Sequence, residues 1–223
     1  MIYQKYEKSL RAIGAAAALL MLSACGEGGT GSSNVVDADD LLAANLYVEG
    51  KDGVWGDIVY GSADAPVTVV EYASLTCPHC ANFSKNIFPK VKEEFIDTGK
   101  VRFIYRNYVM NGADMVASAV ARCRDMETAK RLMKVYFNRQ SEWARSEDRN
   151  GALASLARRT ANMSRSEFDR CASNRELMAS LTEMTKAGRE EFRVVATPTV
   201  FVNGVSVDDY TWENLKAELE KAQ

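Results

Sequence analysis

A nearly continuous β-branched run, Val67-Thr68-Val69-Val70-Glu71-Tyr72, is followed five residues later by Cys77-Pro78-His79-Cys80, and then by apolar positions at helical spacing, Phe83, Ile87 and Val91. The run reads as a buried central strand. Pro78 falls at the first helical position, where its missing N–H costs nothing, and Pro89 predicts a kink further along. The chain therefore places two thiols where a buried strand hands over to a helix. There Cys77 faces the unsatisfied N–H groups and the positive dipole end of the helix, which stabilise a thiolate. His79 can add a donor or a positive charge near the sulfur. Cys80, one turn in, is expected to be more buried and to act as the resolving thiol. Two Cys at this spacing can close a disulfide with little rearrangement. The competing reading of a Cys-x-x-Cys is a zinc half-site, but Cys123 and Cys171 are single residues far apart and supply no second half.

Asp57-Ile58-Val59-Tyr60 reads as a short strand, Gly61 to Pro66 as a turn and Val101 to Arg106 as another strand, spaced for a βαβ unit. Residues 113–192 change character: rich in Ala, Met, Arg and Glu, without Pro, they read as a helical block. Within Asp114–Arg139 the positions Val116, Ala119, Val120, Cys123 and Met126 share one helical face. Asn150–Asn162 gives a further helix, and Ser164-Arg165-Ser166-Glu167 is a capping box opening another, with Phe168, Cys171 and Ala172 on its face. Heptads are not sustained, which excludes a coiled coil. The Met and Tyr residues of the block read as core, with a substrate groove as the alternative. Arg122, Arg124, Lys130, Arg131 and Lys134 alternate with acids and read as a solvated helix face. Beyond the block, Thr199–Val202 and Val205–Val207 flank Asn203-Gly204, the signature of a type I′ hairpin. Residues 211–222 close the chain with an amphipathic helix. The fold class is α/β, a sheet interrupted by one all-helical insertion.

Composition narrows the function. With 28 Lys+Arg against 30 Asp+Glu, the net charge of -2 offers no cationic surplus to hold a polyanion, so nucleic acid is not an expected partner. A single His, His79, excludes multi-His metal sites and leaves one place for a Ser-His-Asp triad. Five Cys leave an odd one.

The N-terminal segment accounts for it. Lys5, Lys8 and Arg11, tempered by Glu7, precede Ala12–Leu22, an apolar run of 11 residues, short of the about 20 that span a bilayer. Leu22-Ser23-Ala24-Cys25 then resembles the lipobox of bacterial lipoproteins, which implies cleavage before Cys25 and its acylation. An ordinary cleaved signal and an uncleaved weak anchor are the alternatives. Gly26 to Asn34 reads as a flexible tether with nothing to bury. With residues 1–24 removed the net charge becomes about -4, and export places the remaining four Cys in an oxidising compartment. Residues 35–54 carry Leu41-Leu42-Ala43-Ala44, a short helix or an arm, and no clear fold.

The stretch VVEYASLTCPHC, the later Ala196-Thr197-Pro198-Thr199 before the hairpin, and the helical block between them resemble the DsbA-like branch of the thioredoxin superfamily, from about Trp55 to the C-terminus. The resemblance implies a thioredoxin fold with an inserted all-helical domain: thioredoxin-like parts at 55–111 and 193–223 and the insertion at 112–192, preceded by a lipoprotein signal peptide at 1–24 and a lipid-anchored tether and arm at 25–54. It implies catalytic roles for Cys77, Pro78, His79 and Cys80. It also makes Glu71, six residues before Cys77, the buried acid that tunes proton transfer; the alternative is a solvated strand-end carboxylate. Thr197-Pro198 becomes a cis-Pro loop whose backbone pairs with an extended substrate. Cys123 and Cys171 resemble a second, non-catalytic disulfide of some relatives, against the alternative of two buried free thiols. Arg106 reads as a surface or structural charge.

The implied function is a thiol:disulfide oxidase on the periplasmic side of a bacterial membrane. It would be a monomer acting on reduced or misfolded exported proteins and reoxidised by a DsbB-like quinone-linked protein. No nucleotide, flavin or metal cofactor is implied. Many DsbA enzymes carry Val where Thr197 stands, and Thr also occurs in disulfide isomerases, so an isomerase or reductase using the same pair is the alternative. Residues 35–54 are short for the dimerising extension common in isomerases. A copper-binding lipoprotein using Cys77 and Cys80 is a further alternative.

Overall fold

The computed structural model describes residues 34–43 and 53–223; the expectations for residues 1–24 and for Cys25 fall outside them. Strands β1 (Ile58–Tyr60), β2 (Val67–Ala73), β3 (Val101–Asn107), β4 (Thr199–Val202) and β5 (Val205–Val207) form a sheet in the order β1-β3-β2-β4-β5. β2 and β3 are parallel, and the other pairs are antiparallel. Side-chain alternation along β2 explains its unbroken apolar run. Val67, Val69 and Ala73 enter the larger core, while Val70 and Tyr72 enter a second core on the other face with Ile104, Phe192, Val194 and Phe201.

The β2–β3 crossover is helical but not uniform. It comprises α2 (Pro78–Asn82), a π-helical turn at Phe83–Ile87, α3 (Phe88–Val91) and a second π-helical turn at Lys92–Ile96. The disturbance Pro89 was expected to cause takes this form. A proline ring crowds the carbonyl four residues earlier, here that of Lys85, and the ladder widens so that the Phe88 N–H bonds Phe83 O.

The helical block runs through α4 (Gly112–Arg122), α5 (Met126–Asn138), α6 (Gln140–Ala144), α7 (Arg149–Ala161), α8 (Arg165–Ala172) and α9 (Arg175–Glu190). Asn111, Asp125, Asp148, Ser164 and Asn174 cap α4, α5, α7, α8 and α9, each accepting from a backbone N–H of its first turn. The Asp125 cap divides what the sequence reads as one apolar face into two helices. Arg122 does not lie on the solvated face expected of it. It ends α4 fully buried, its Nε donating to Asn107 Oδ1 at 2.6 Å and Nη1 to Val54 O at 3.1 Å. Its neighbour Arg124 pairs with Glu167 of α8. Cys123, just past α4, is disulfide-bonded to Cys171 of α8, with Cα atoms 5.6 Å apart.

Asn203 and Gly204 take φ of 46° and 83°, as a type I′ turn requires. The segment ahead of α1 (Ala38–Ala43) lies against this hairpin. Val35 bridges Val205, the Val36 N–H donates to Gly204 O and the Ser206 N–H to Asn34 O, both at 2.9 Å. A Cβ on Gly204 would stand 2.5 Å from Val36 O, so both the turn and the arm need glycine there. Leu41 of α1 is buried in the second core, so the part of 25–54 that is described is a docked arm. α10 (Trp212–Lys221) packs Leu215 and Leu219 into the larger core. Among the described residues, no helix is long and apolar enough to cross a membrane.

Candidate active site

β2 ends at Ala73, three residues follow, and Cys77 is the N-cap of α2 (φ -79°, ψ 123°), with Pro78 at the first helical position. The sulfur atoms of Cys77 and Cys80 are free thiols. Cys77 keeps 8% of its surface and Cys80 none, so only the first is open to a partner. Pro78 and His79 are exposed. Across from them the Thr197–Pro198 bond is cis, Pro198 is buried and Thr197 half-buried. The Cys77 thiol donates to Thr197 O at 3.2 Å. The structure thus brings together Cys77, Pro78, His79, Cys80, Thr197 and Pro198, although Cys77 and Thr197 lie 120 positions apart in the sequence.

The two sulfurs differ in acidity. Cys77 is pulled down to about 5, above all by the hydrogen bond that its thiolate accepts from Cys80. Burial opposes this, and Thr197 and the backbone N–H groups of Cys80 and His79 add to it. As a thiolate, Cys77 gives up its bond to the Thr197 carbonyl and keeps these donors. The contribution of His79 seen here is its main-chain N–H at the helix start. Cys80 is pushed far up, first by burial, then by its bond to Cys77 and by the charge of Glu71. One thiolate at Cys77, shared with a thiol at Cys80, is therefore the stable state of the reduced pair.

Glu71 points to the larger-core side of β2 and is 3% exposed, so it is not a solvated strand-end carboxylate. Burial, and secondarily the negative charge of Cys77, raise its carboxyl to about 8. Its Oε1 is buried without a hydrogen-bond partner, and the residue helps line a cavity of about 440 Å³ with Tyr60, Phe88, Phe103, Tyr105 and Phe137. A carboxyl that is neutral at pH 7 beside a buried thiol can hand over or receive a proton as Cys80 gains or loses its bond to Cys77.

Sequence reasoning missed the residues that hold the link from β2 to α2. Asp114 of α4 is buried and accepts from Ser74 Oγ at 2.6 Å, Leu75 N at 3.0 Å and Met110 N at 3.0 Å. Asn111 Nδ2 donates to Thr76 Oγ1 at 2.9 Å. Gln140 of α6 donates from Nε2 to Leu75 O at 2.8 Å and Cys77 O at 2.9 Å. Nothing local in the sequence marks a bond between positions 63 apart. The only available signal was Asn111-x-x-Asp114 as a capping pair.

The remaining candidates lie elsewhere. Cys123 and Cys171 tie α4 to α8 within the helical block. Arg106 is fully buried on β3, bidentate to Asp57 at 2.7 and 2.9 Å and donating to the Tyr72 hydroxyl at 3.1 Å, which makes it structural and not a surface charge. Among the described residues, no group of three or more His, Cys, Asp or Glu is placed to hold a metal ion.

Comparison with known proteins places this geometry. A family model described as thioredoxin matches residues 54–221. Disulfide bond formation protein D of Bacillus subtilis is 30% identical over 182 residues, covering 79% of this chain and 82% of that protein. A Rickettsia bellii protein with the provisional name protein-disulfide oxidoreductase is 30% identical over 167 residues, 74% of this chain. This chain spans 64% of that relative's length. The crystal structure of Wolbachia pipientis alpha-DsbA1 superposes with a TM-score of 0.72 at 24% identity, covering 84% of this chain and 96% of that one, a likeness of fold.

Proposed function

The chain belongs to the thioredoxin family, and from that premise we propose that it is a thiol:disulfide oxidoreductase working in the oxidising direction on exported proteins. The observation that carries the reading is the split between Cys77, held down to about 5, and Cys80, held far up. A thiolate stabilised in the reduced pair makes the disulfide the less favoured partner, and so a strong oxidant.

In the oxidised enzyme Cys77 and Cys80 are joined. A substrate thiolate attacks the Cys77 sulfur, the only one of the two with exposed surface. A mixed disulfide forms, and Cys80 departs as a thiolate that takes a proton, for which Glu71, whose charge it feels, is the proposed donor. A second substrate thiolate then attacks the substrate's own sulfur and expels Cys77, a good leaving group because it is acidic. Two electrons have passed from the substrate, which gains a disulfide, to the enzyme pair. The Thr197 backbone pairs with the substrate strand. His79 and Pro78 shape the helix start that carries Cys77. A DsbB-like quinone-linked membrane protein is the expected reoxidant.

The lipobox-like Leu22-Ser23-Ala24-Cys25 supports export and acylation of Cys25, holding a monomer on the periplasmic side of a membrane. Labelling with a radioactive fatty acid, lost in Cys25→Ala, tests the anchor. Equilibration of the full chain with glutathione tests the direction of catalysis: a potential well above that of glutathione supports the oxidase. One near thioredoxin's moves the protein to the reductase side, and efficient reactivation of scrambled disulfides moves it to the isomerases.

A further inference from the structure

Gln140 opens α6 and is buried, yet it reaches across to the backbone of the nucleophile. The Cys77 carbonyl that it bonds at 2.9 Å also takes the first helical bond of α2, from the Ala81 N–H at 3.1 Å. A carbonyl held by two donors fixes the peptide plane that follows Cys77, and Pro78, lacking an N–H, gives that plane no other anchor. Leu75 is gripped on both sides: its N–H goes to Asp114 at 3.0 Å and its carbonyl to Gln140 at 2.8 Å. The link between β2 and α2 is thus held by side chains of the helical block.

The consequence concerns the sulfur. The N–H groups of His79 and Cys80 lower the pKa of Cys77 only while they point at it, because donation weakens steeply with angle and distance. We infer that Gln140 is a positioning residue for Cys77: its two bonds to the backbone hold the sulfur on the helix N-terminal donors, so that the helical block sets the reactivity of a thiol it does not contain. The inference rests on the exchange chemistry proposed for Cys77, but its primary readout needs no turnover. Gln140 is neutral, so replacing it by an apolar residue leaves the local charge unaltered and the response reports geometry.

The test uses the full reduced chain with Gln140→Met, which keeps the length and loses both donors. The ultraviolet absorbance of the Cys77 thiolate and the rate of alkylation by iodoacetamide are followed against pH, with thermal melting alongside. The titration moves up, and alkylation at a pH between the two midpoints falls on the order of tenfold. Glu142→Ala, on the same helix but exposed, titrates as the parent does. Should Gln140→Met fail to fold, the shorter Gln140→Asn, still neutral and polar, loses the reach to both carbonyls and moves the titration the same way, and an unmoved titration overturns the inference. A Gln140→Met chain that melts earlier but titrates as the parent overturns the inference and leaves Gln140 a packing residue. A parent chain without exchange activity, whose titration still shifts in Gln140→Met, defeats the functional reading and leaves the positioning role standing.

Discussion

The two cysteine pairs of this chain are made of the same atoms and put to opposite uses. Cys77 and Cys80 stand one turn apart at a helix start, free, with main-chain donors around one sulfur and burial around the other. Cys123 and Cys171 lie 48 positions apart and are joined, a tie between the end of α4 and α8. The first pair owes its character to its surroundings within a few ångströms, the second to the length of chain it closes. A cysteine's role is therefore set by what its neighbours do to the thiolate, and by how far along the chain its partner lies.

The sharpest way to break the contrast is to remove each pair in turn. Cys77→Ser abolishes exchange with a reduced substrate, while in Cys80→Ala the Cys77 thiolate attacks glutathione disulfide, releases one glutathione and accumulates the mixed disulfide, visible by mass spectrometry. Cys123→Ala/Cys171→Ala leaves exchange in place and lowers unfolding stability by up to about 4 kcal/mol in denaturant melts. A shift of the Cys77 titration in that double variant would join the two pairs into one redox system.

The next effect is pH dependence. The folded Cys77 titrates near 5, against an ordinary value of 9.0. The stability it lends to the reduced form is complete above the ordinary value, declines as pH falls and is lost below about 5. The gap in melting temperature between reduced and oxidised protein therefore narrows as the solution is acidified across that window. A gap independent of pH would remove the basis for an oxidising pair. Glu71 works in the other sense and more weakly. Its folded value near 8 stands above the ordinary 4.5, so its contribution is present at low pH and is lost as pH rises through 8. Glu71→Gln gains stability on the parent over that range, and equal pH profiles for the two proteins would place the carboxyl in water.

The elements legible in the sequence are those whose cause is local. The unbroken run of β2, Pro78 at the helix start, Asn203-Gly204 and the Ser164 cap each act within a few residues, and each lies where the pattern puts it. The burial of Arg122 escapes a charge pattern because α4 is enclosed on every side over its last six residues, Ala117–Arg122, and only the packed structure shows that. Asp114 and Gln140 were invisible for a related reason. Their partners, Ser74 to Cys77, are brought to them by the folding of the helical block onto the sheet, and only the tertiary structure contains that fact.

One feature of the arm bears on the company that such a protein keeps. A chain that handles unfolded polypeptides works among partners full of unpaired strands, and any open sheet edge of its own invites them to attach in the wrong place. Here one border of the sheet is the three-residue β1, and the other, β5, is occupied by Val35 and its neighbours. With both borders short or taken, a stray strand finds little free backbone at the ends of the sheet. Under the proposed function the arm is a doorkeeper, keeping visitors off the far border of the sheet.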